Sequence, residues 1–254
     1  MFLAIDIGNT NITFGLLKGY EMVAEARVSS TTRRTADELR WLMASFLVDH
    51  DASDSIKHVG IASVVLDVTA AMERAVKKHL PDIPCDVIGV TVLPNIPISY
   101  QPPSAVGIDR LCNVVAGVAR WGAPLIVIDF GTATTVDAVD SDGVYVGGAI
   151  APGIETAMHS LASRTSQLFN VQLQLPEQVI GRNTSDAIRS GLLWGSLGAA
   201  DNLAIRFALE IGGEPHVIAT GGFAPLLAPH SSIISEVAPY LVLEGIKRIC
   251  ESAL

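Results

Sequence analysis

Apolar and polar residues fall in blocks along this chain, and two of the blocks echo each other. Residues 2 to 17 read FLAIDIGNTNITFGLL, and residues 125 to 139 read LIVIDFGTATTVDAV. In both, an apolar run closes on an aspartate, passes a glycine flanked by small hydroxyl or amide residues, and resumes as a second β-prone run. Asp6 and Asp129 stand nearly half a chain length apart. Turn residues follow at Lys18-Gly19 and at Asp142-Gly143, and each leads into a third strand-like stretch. Each half is therefore expected to open as a strand–loop–strand–turn–strand meander.

Helical periods follow in both halves. Thr35-Ala36-Asp37-Glu38 reads as a helix start, with Leu39, Leu42, Met43 and Phe46 recurring at helical spacing. A strand near 59–64, a helix near 68–79 and a strand near 85–88 complete the first half. Residues 93–103, LPNIPISYQPP, carry four prolines and read as an irregular connector. Gly107 to Trp121 reads as a helix into the second half, where further helices are expected over 154–165 and 184–211. A buried strand over 216–220 ends in Gly221-Gly222, and a short strand around 240–243 precedes a C-terminal helix. Gly191, Gly195 and Gly198 line one side of the helix at 184–211 and suit close approach by another helix, of this chain or of a second copy. The simplest architecture is α/β, with two related halves at 1–115 and 116–254 around a cleft that would hold the function.

Composition narrows the class. Hydrophobic residues make up 49% and charged residues 17%, enough for a large core and too apolar for disorder. Seventeen basic residues against 26 acidic leave a net charge of −9, which argues against nucleic acid or an anionic membrane as partner. No apolar run approaches the ~20 residues that span a bilayer. The N-terminus meets Asp6 too early, and without basic residues before it, to resemble a signal peptide. The three cysteines, Cys85, Cys112 and Cys250, form no CxxC and read as reduced, buried thiols of a cytoplasmic protein.

The chemistry lies in the echoed loops. Gly8-Asn9-Thr10 after Asp6 can curl around an anion, and Gly131, Thr132, Thr134 and Thr135 after Asp129 offer the same parts. A carboxylate beside a phosphate loop requires a cation between them, which implies Mg²⁺ with water ligands. The ATGG at 219–222 ends a strand with backbone bare enough for a nucleoside, or simply starts a helix. There is no GxxxxGK[ST], no lysine in a Gly-rich loop, no GxGxxG after the first strand and no GxSxG. The six histidines never occur as HExxH or with cysteine at ligand spacing, so a zinc site is not expected. Phosphoryl chemistry run by carboxylates, backbone amides and a metal is what remains.

DxGNT near the start, DFGTATT in the middle and TGG near the end resemble the phosphate-1, phosphate-2 and adenosine motifs of the acetate and sugar kinase/Hsp70/actin superfamily. Tyr100, VGIDR at 106–110, VIDFGTATTVD at 127–137, GGAIAPGI at 147–154 and IGRNTSDAIRSG at 180–191 resemble the type III pantothenate kinase family more closely. The resemblance implies two RNase H-like (actin-like ATPase) domains, each a mixed sheet with flanking helices. It also implies ATP-dependent phosphorylation of pantothenate, the first step of coenzyme A synthesis.

Carried onto this chain, the resemblance makes Asp6, Ile7, Gly8, Asn9, Thr10, Asn11, Ile12 and Thr13 the first phosphate loop, with Thr132 binding ATP from the second. Asp129 would hold a monovalent cation (K⁺ or NH₄⁺). Tyr100, Gly107, Ile108, Asp109, Arg110 and Thr184 would contact pantothenate, with Asp109 as proton acceptor. Family members are homodimers in which the partner subunit completes part of the pantothenate pocket. Residue by residue, Asp109 falls in the first turn of a predicted helix, where the dipole favours negative charge. Asp6 is expected to hold Mg²⁺ through water. Arg110 would pair with substrate charge or form a surface salt bridge, Tyr100 is a substrate contact or an exposed connector ring, and Thr184 is an N-cap or a substrate contact. A related small-molecule kinase or phosphatase with another acceptor, and a non-enzymatic regulator of transcription, are the alternatives.

Overall fold

The structure is a computed structural model that describes residues 1–30, 34–164 and 169–252. The chain divides into two compact units, one formed by residues 1–96, 101–116 and those from Tyr240 onward, the other by 97–100 and 117–239. In the first unit β1 (Phe2–Ile7), β2 (Asn11–Lys18) and β3 (Glu21–Ser29) form the expected antiparallel meander. Gly19 turns β2 into β3 with φ 60°, a conformation that favours glycine. α1 (Ala36–Asp49) starts on Thr35, whose hydroxyl accepts from the Glu38 N–H while the Glu38 carboxylate accepts from the Thr35 N–H. β4 (His58–Ser63), α2 (Leu66–His79) and β5 (Cys85–Val87) follow, with β4 parallel to β1 and β5 parallel to β4. The sheet order is β3-β2-β1-β4-β5. One of its faces buries Leu3, Ile5, Ile7 and Phe14 against Leu39, Met43 and Phe46 of α1 and Val68, Met72 and Val76 of α2.

α3 (Ile108–Trp121) carries the chain into the second unit, where β6 (Leu125–Phe130), β7 (Ala133–Val139) and β8 (Tyr145–Pro152) repeat the meander. α4 (Ile154–Arg164) and the 28-residue α5 (Thr184–Ile211) come next, α5 over the span its sequence predicts. β9 (His216–Thr220), α6 (Ala224–Leu227) and β10 (Glu236–Val237) complete a sheet of order β10-β9-β6-β7-β8. β9 runs parallel to β6, and β10 parallel to β9. Counted outward from β1 and from β6, the two sheets have the same strand order and the same directions, so the sequence echo is a repeat of topology. Met158 of α4 and Leu192, Leu193 and Leu197 of α5 pack on Ile126, Ile128, Phe130 and Val136.

α7 (Leu241–Ser252) corrects one expectation: residues 240–243 are not a strand but enter this helix, and the short strand lies earlier, at β10. A run of four apolar residues fits either structure. Burial of Leu243, Ile246, Ile249 and Cys250, at spacings of three and four, is what makes it a helix. α7 covers the other face of the first sheet, against Phe2, Ala4, Leu17 and Ala62. Gly245 allows close approach to α3, since a Cβ there would overlap the backbone of Cys112. Residues 240–252 thus pack with the first unit, whereas a cut after residue 115 places them in the second half. Among the described residues, no helix is long and apolar enough to cross a membrane.

Candidate active site

In the first unit, Asp6 is the next-to-last residue of β1 and is half-buried, paired across the ladders with Thr13 of β2 and Ala62 of β4. The Gly8 N–H donates to the Asn11 carbonyl (2.9 Å), closing a tight turn that leaves Asn9 and Thr10 exposed. Ile7 and Ile12 are fully buried in the core and Thr13 is nearly so. In that loop Ile7 and Ile12 can offer a ligand only backbone groups, while Asn9 and Thr10 can offer side chains.

α3 begins at Ile108, so Gly107 just precedes it and Asp109 lies in its first turn, as the sequence predicts. The Asp109 carboxylate accepts the Arg110 N–H at 2.8 Å. Arg110 is only 6% exposed, which removes the surface salt-bridge reading. One buried group reports on the neighbourhood. Burial drives the Cys112 thiol well above its ordinary range, and the charges of Asp6 and then Asp109 add to that rise. The loop aspartate and the helix aspartate, far apart in sequence, both belong to the first unit, with Cys112 near them.

In the second unit Asp129 is the next-to-last residue of β6, paired with Thr135 of β7 and Thr220 of β9. The loop that follows is fenced by bare backbone. A Cβ on Gly221 (φ 90°) would overlap the Asp129 carboxylate and the Phe130 backbone, and one on Gly153 would overlap the carbonyls of Gly131 and Thr132. The Thr132 carbonyl accepts from the Gly153 N–H (3.2 Å) and the Thr156 hydroxyl (2.9 Å), leaving the Thr132 side chain exposed. The DFGT loop, the Gly221-Gly222 turn and the start of α4 thus come together around Asp129.

Tyr100 belongs to the second unit and is half-buried, not an exposed connector ring. Its segment pairs with β8, since the Tyr145 N–H donates to the Pro97 carbonyl and the Ser99 N–H to the Tyr145 carbonyl, both at 2.9 Å. The Tyr100 ring stands 6.3 Å from that of Tyr145, centroid to centroid. Thr184 is the first residue of α5, and the cap is Asn183, whose side chain accepts the Asp186 N–H at 2.9 Å. Thr184 is exposed and relieved of the capping role that the sequence allowed it.

A family model of type III pantothenate kinase matches residues 2–206. A type III pantothenate kinase of Streptomyces griseus subsp. griseus is 39% identical over 259 residues, covering 99% of this chain and 98% of its own. One from Moorella thermoacetica is 41% identical over 253 residues, covering 99% of each. The chain belongs to the type III pantothenate kinase family.

Solved structures agree on the fold. A ROK family glucokinase from Streptomyces griseus, in complex with glucose and AMPPNP, superposes with a TM-score of 0.53 at 13% identity, covering 98% of this chain and 99% of its own. A Campylobacter jejuni protein described as a Baf family transcriptional activator reaches 0.62 at 20% identity, with 99% and 98% coverage. Likenesses at that identity carry fold alone, here the actin-like ATPase fold of two related mixed-sheet domains.

Sequence reasoning did not single out two features of the second unit of this type III pantothenate kinase. Beneath Tyr100, the fully buried Tyr145 donates its hydroxyl to Asp137 Oδ1 (2.8 Å), and the Thr135 hydroxyl donates to Asp137 Oδ2 (3.1 Å). An acid inside an apolar strand was the available signal, because a buried carboxylate persists only with partners. Gly153 is the other feature, and only the fold shows which backbone it abuts.

Proposed function

We propose how these residues perform the reaction of the family. The chain is a kinase that uses ATP to phosphorylate pantothenate, the entry to coenzyme A synthesis. One arrangement supports the assignment of roles: within the first unit, β1 presents Asp6 at the phosphate loop and the first turn of α3 presents Asp109.

Asp109 accepts a hydrogen bond from the acceptor hydroxyl, orients it and takes its proton late. Phosphoryl transfer through a loose transition state asks no more of a base. Arg110, Tyr100 and Thr184 hold the acceptor, with Gly107 and Ile108 shaping the backbone beside it. The first loop, Asp6 to Thr13, and Thr132 of the second bind the phosphates through N–H groups and the exposed side chains of Asn9, Thr10 and Thr132. With no lysine in either loop, phosphate charge must be met by cations.

The residues fit such ions. Asp6 presents a carboxylate at a strand end beside exposed oxygen donors, which suits hydrated Mg²⁺. Asp129 sits in a cradle that a Cβ on Gly221 would fill, which suits a weakly hydrated K⁺ or NH₄⁺. The divalent ion, when bound, draws charge from the phosphate oxygens.

The family implies a homodimer acting in the cytoplasm, and α5 offers the seam. Gly191, Gly195, Gly198, Ile205 and Leu209 share one face at spacings near three and four, interrupted only by Asn202, and all are exposed. No neighbour among the described residues lies within 4 Å of where a Cβ on any of those glycines would stand, so the intramolecular packing allowed by the sequence has no support.

ADP release coupled to pantothenate, with and without K⁺, tests the reading on wild type and Asp109→Asn. Release that needs pantothenate and K⁺, and is nearly lost in the variant, is the expected result. Folded protein that releases no ADP with pantothenate, but does so with another alcohol from a substrate panel, would replace the acceptor.

A further inference from the structure

The first sheet carries a second group of chemically active side chains that the kinase reaction does not use. His58 lies on β4, Asp86 on β5 and Cys250 on α7, and their ligand atoms all fall within 4.8 Å of one another. Strand alternation explains the meeting. His58 and Gly60 point to the same side of β4, and Asp86 is the ladder partner of Gly60, so all three face α7. Gly60 leaves the gap that the sulfur enters, since a Cβ there would stand 2.8 Å from Cys250 Sγ. Cys85 pairs with Val59 and packs with the opposite core, so it is not part of the group.

The donors are already oriented. His58 Nε2 and Asp86 Oδ2 are 2.7 Å apart, and the Thr91 hydroxyl donates to Asp86 Oδ1 at 3.1 Å, turning the other oxygen toward the imidazole. His58 and Cys250 are buried, while the Asp86 side chain retains 23% exposure and leaves a way in for a small ion. Burial pushes the Cys250 thiol up to about 12, so it is no nucleophile on its own.

We propose that His58, Asp86 and Cys250 form a binding site for a thiophilic divalent cation of the Zn²⁺ class, with water as fourth ligand, that ties α7 to β4 and β5. One nitrogen, one carboxylate oxygen and one sulfur are a donor set that Zn²⁺ takes in tetrahedral geometry, whereas Mg²⁺ and Ca²⁺ select oxygen alone. Ligand atoms around tetrahedral zinc stand roughly 3.3–3.6 Å apart, so the His58–Asp86 pair opens slightly and the sulfur closes by about an ångström. Binding forms the metal–sulfur bond and releases the thiol proton to solvent. No sequence motif announces the site, because its residues come from three separate elements.

Titration of the full-length protein with Co²⁺, followed by displacement with Zn²⁺, tests this. The expected result is one equivalent of Co²⁺ bound with a thiolate-to-cobalt charge-transfer band, lost in Cys250→Ser and kept in the Cys85→Ser/Cys112→Ser double variant. Zn²⁺ should remove the band, and it should raise Tm in wild type but not in Asp86→Asn. Wild-type protein with no such band at saturating Co²⁺ would overturn the proposal before any variant is made. So would a band that survives in folded Cys250→Ser. Should Cys250→Ser fail to fold, the double variant decides: with only three cysteines in the chain, a band it keeps belongs to Cys250, and a band it loses does not.

Discussion

In the first unit the loop after the β1 aspartate is open, with Asn9 and Thr10 exposed and Gly8 touching little beyond the Asn11 carbonyl. In the second, the loop after the β6 aspartate is walled by Gly153 and Gly221, whose bare backbones press on it. The sheets beneath are the same, strand for strand. Shared topology therefore positions two aspartates alike but does not dictate how the adjoining loops are held. The first loop can bind through side chains. The second is shaped by what its neighbours lack.

Glycine substitutions break this comparison most strongly. Gly153→Ala and Gly221→Ala force a Cβ into backbone, so each should cost about 1–3 kcal/mol of stability and raise the KM for ATP. Gly8→Ala puts its Cβ 3.3 Å from the Asn11 carbonyl, a contact relieved by a small shift, and should cost under about 1 kcal/mol. Denaturant melts and ATP kinetics on the three variants check the contrast, and equal losses would erase it.

The Tyr145–Asp137 pair gives the second unit a buried polar anchor beneath Tyr100. Tyr145→Phe removes the donor to Asp137 Oδ1 and should cost about 1–3 kcal/mol. If the anchor holds the Tyr100 segment for substrate, the variant's KM for pantothenate rises while kcat changes little. A stability loss with unchanged KM would make the anchor structural alone.

Much of this was legible in the sequence and some was not, for reasons that lie in particular residues. The echo around Asp6 and Asp129 disclosed two meanders because strand–turn chemistry is local. The bounds of α5 were readable because Asn183 and Gly212 punctuate it. The start of α7 was not, because Val242 and Leu243 suit a strand and only burial on a distant sheet decides. The same holds for Asp137 under Tyr145 and for the meeting of His58, Asp86 and Cys250. Each depends on contacts between elements that no local spacing encodes.

Two helix caps offer the smallest and cleanest contrast. Thr35→Ala and Asn183→Ala each remove a side-chain cap and should each cost about 1 kcal/mol. Only Asn183→Ala should raise the KM for pantothenate, because Thr184 follows it. Parallel melts with initial-rate kinetics separate the two effects.

The central claim is that both repeated aspartates serve the nucleotide, and ATP affinity measured in Asp6→Asn and Asp129→Asn, with Mg²⁺ and K⁺ present, tests it most directly. The account predicts weaker ATP binding in each folded variant, with the K⁺ dependence blunted in Asp129→Asn alone. Wild-type ATP affinity in either one would contradict it.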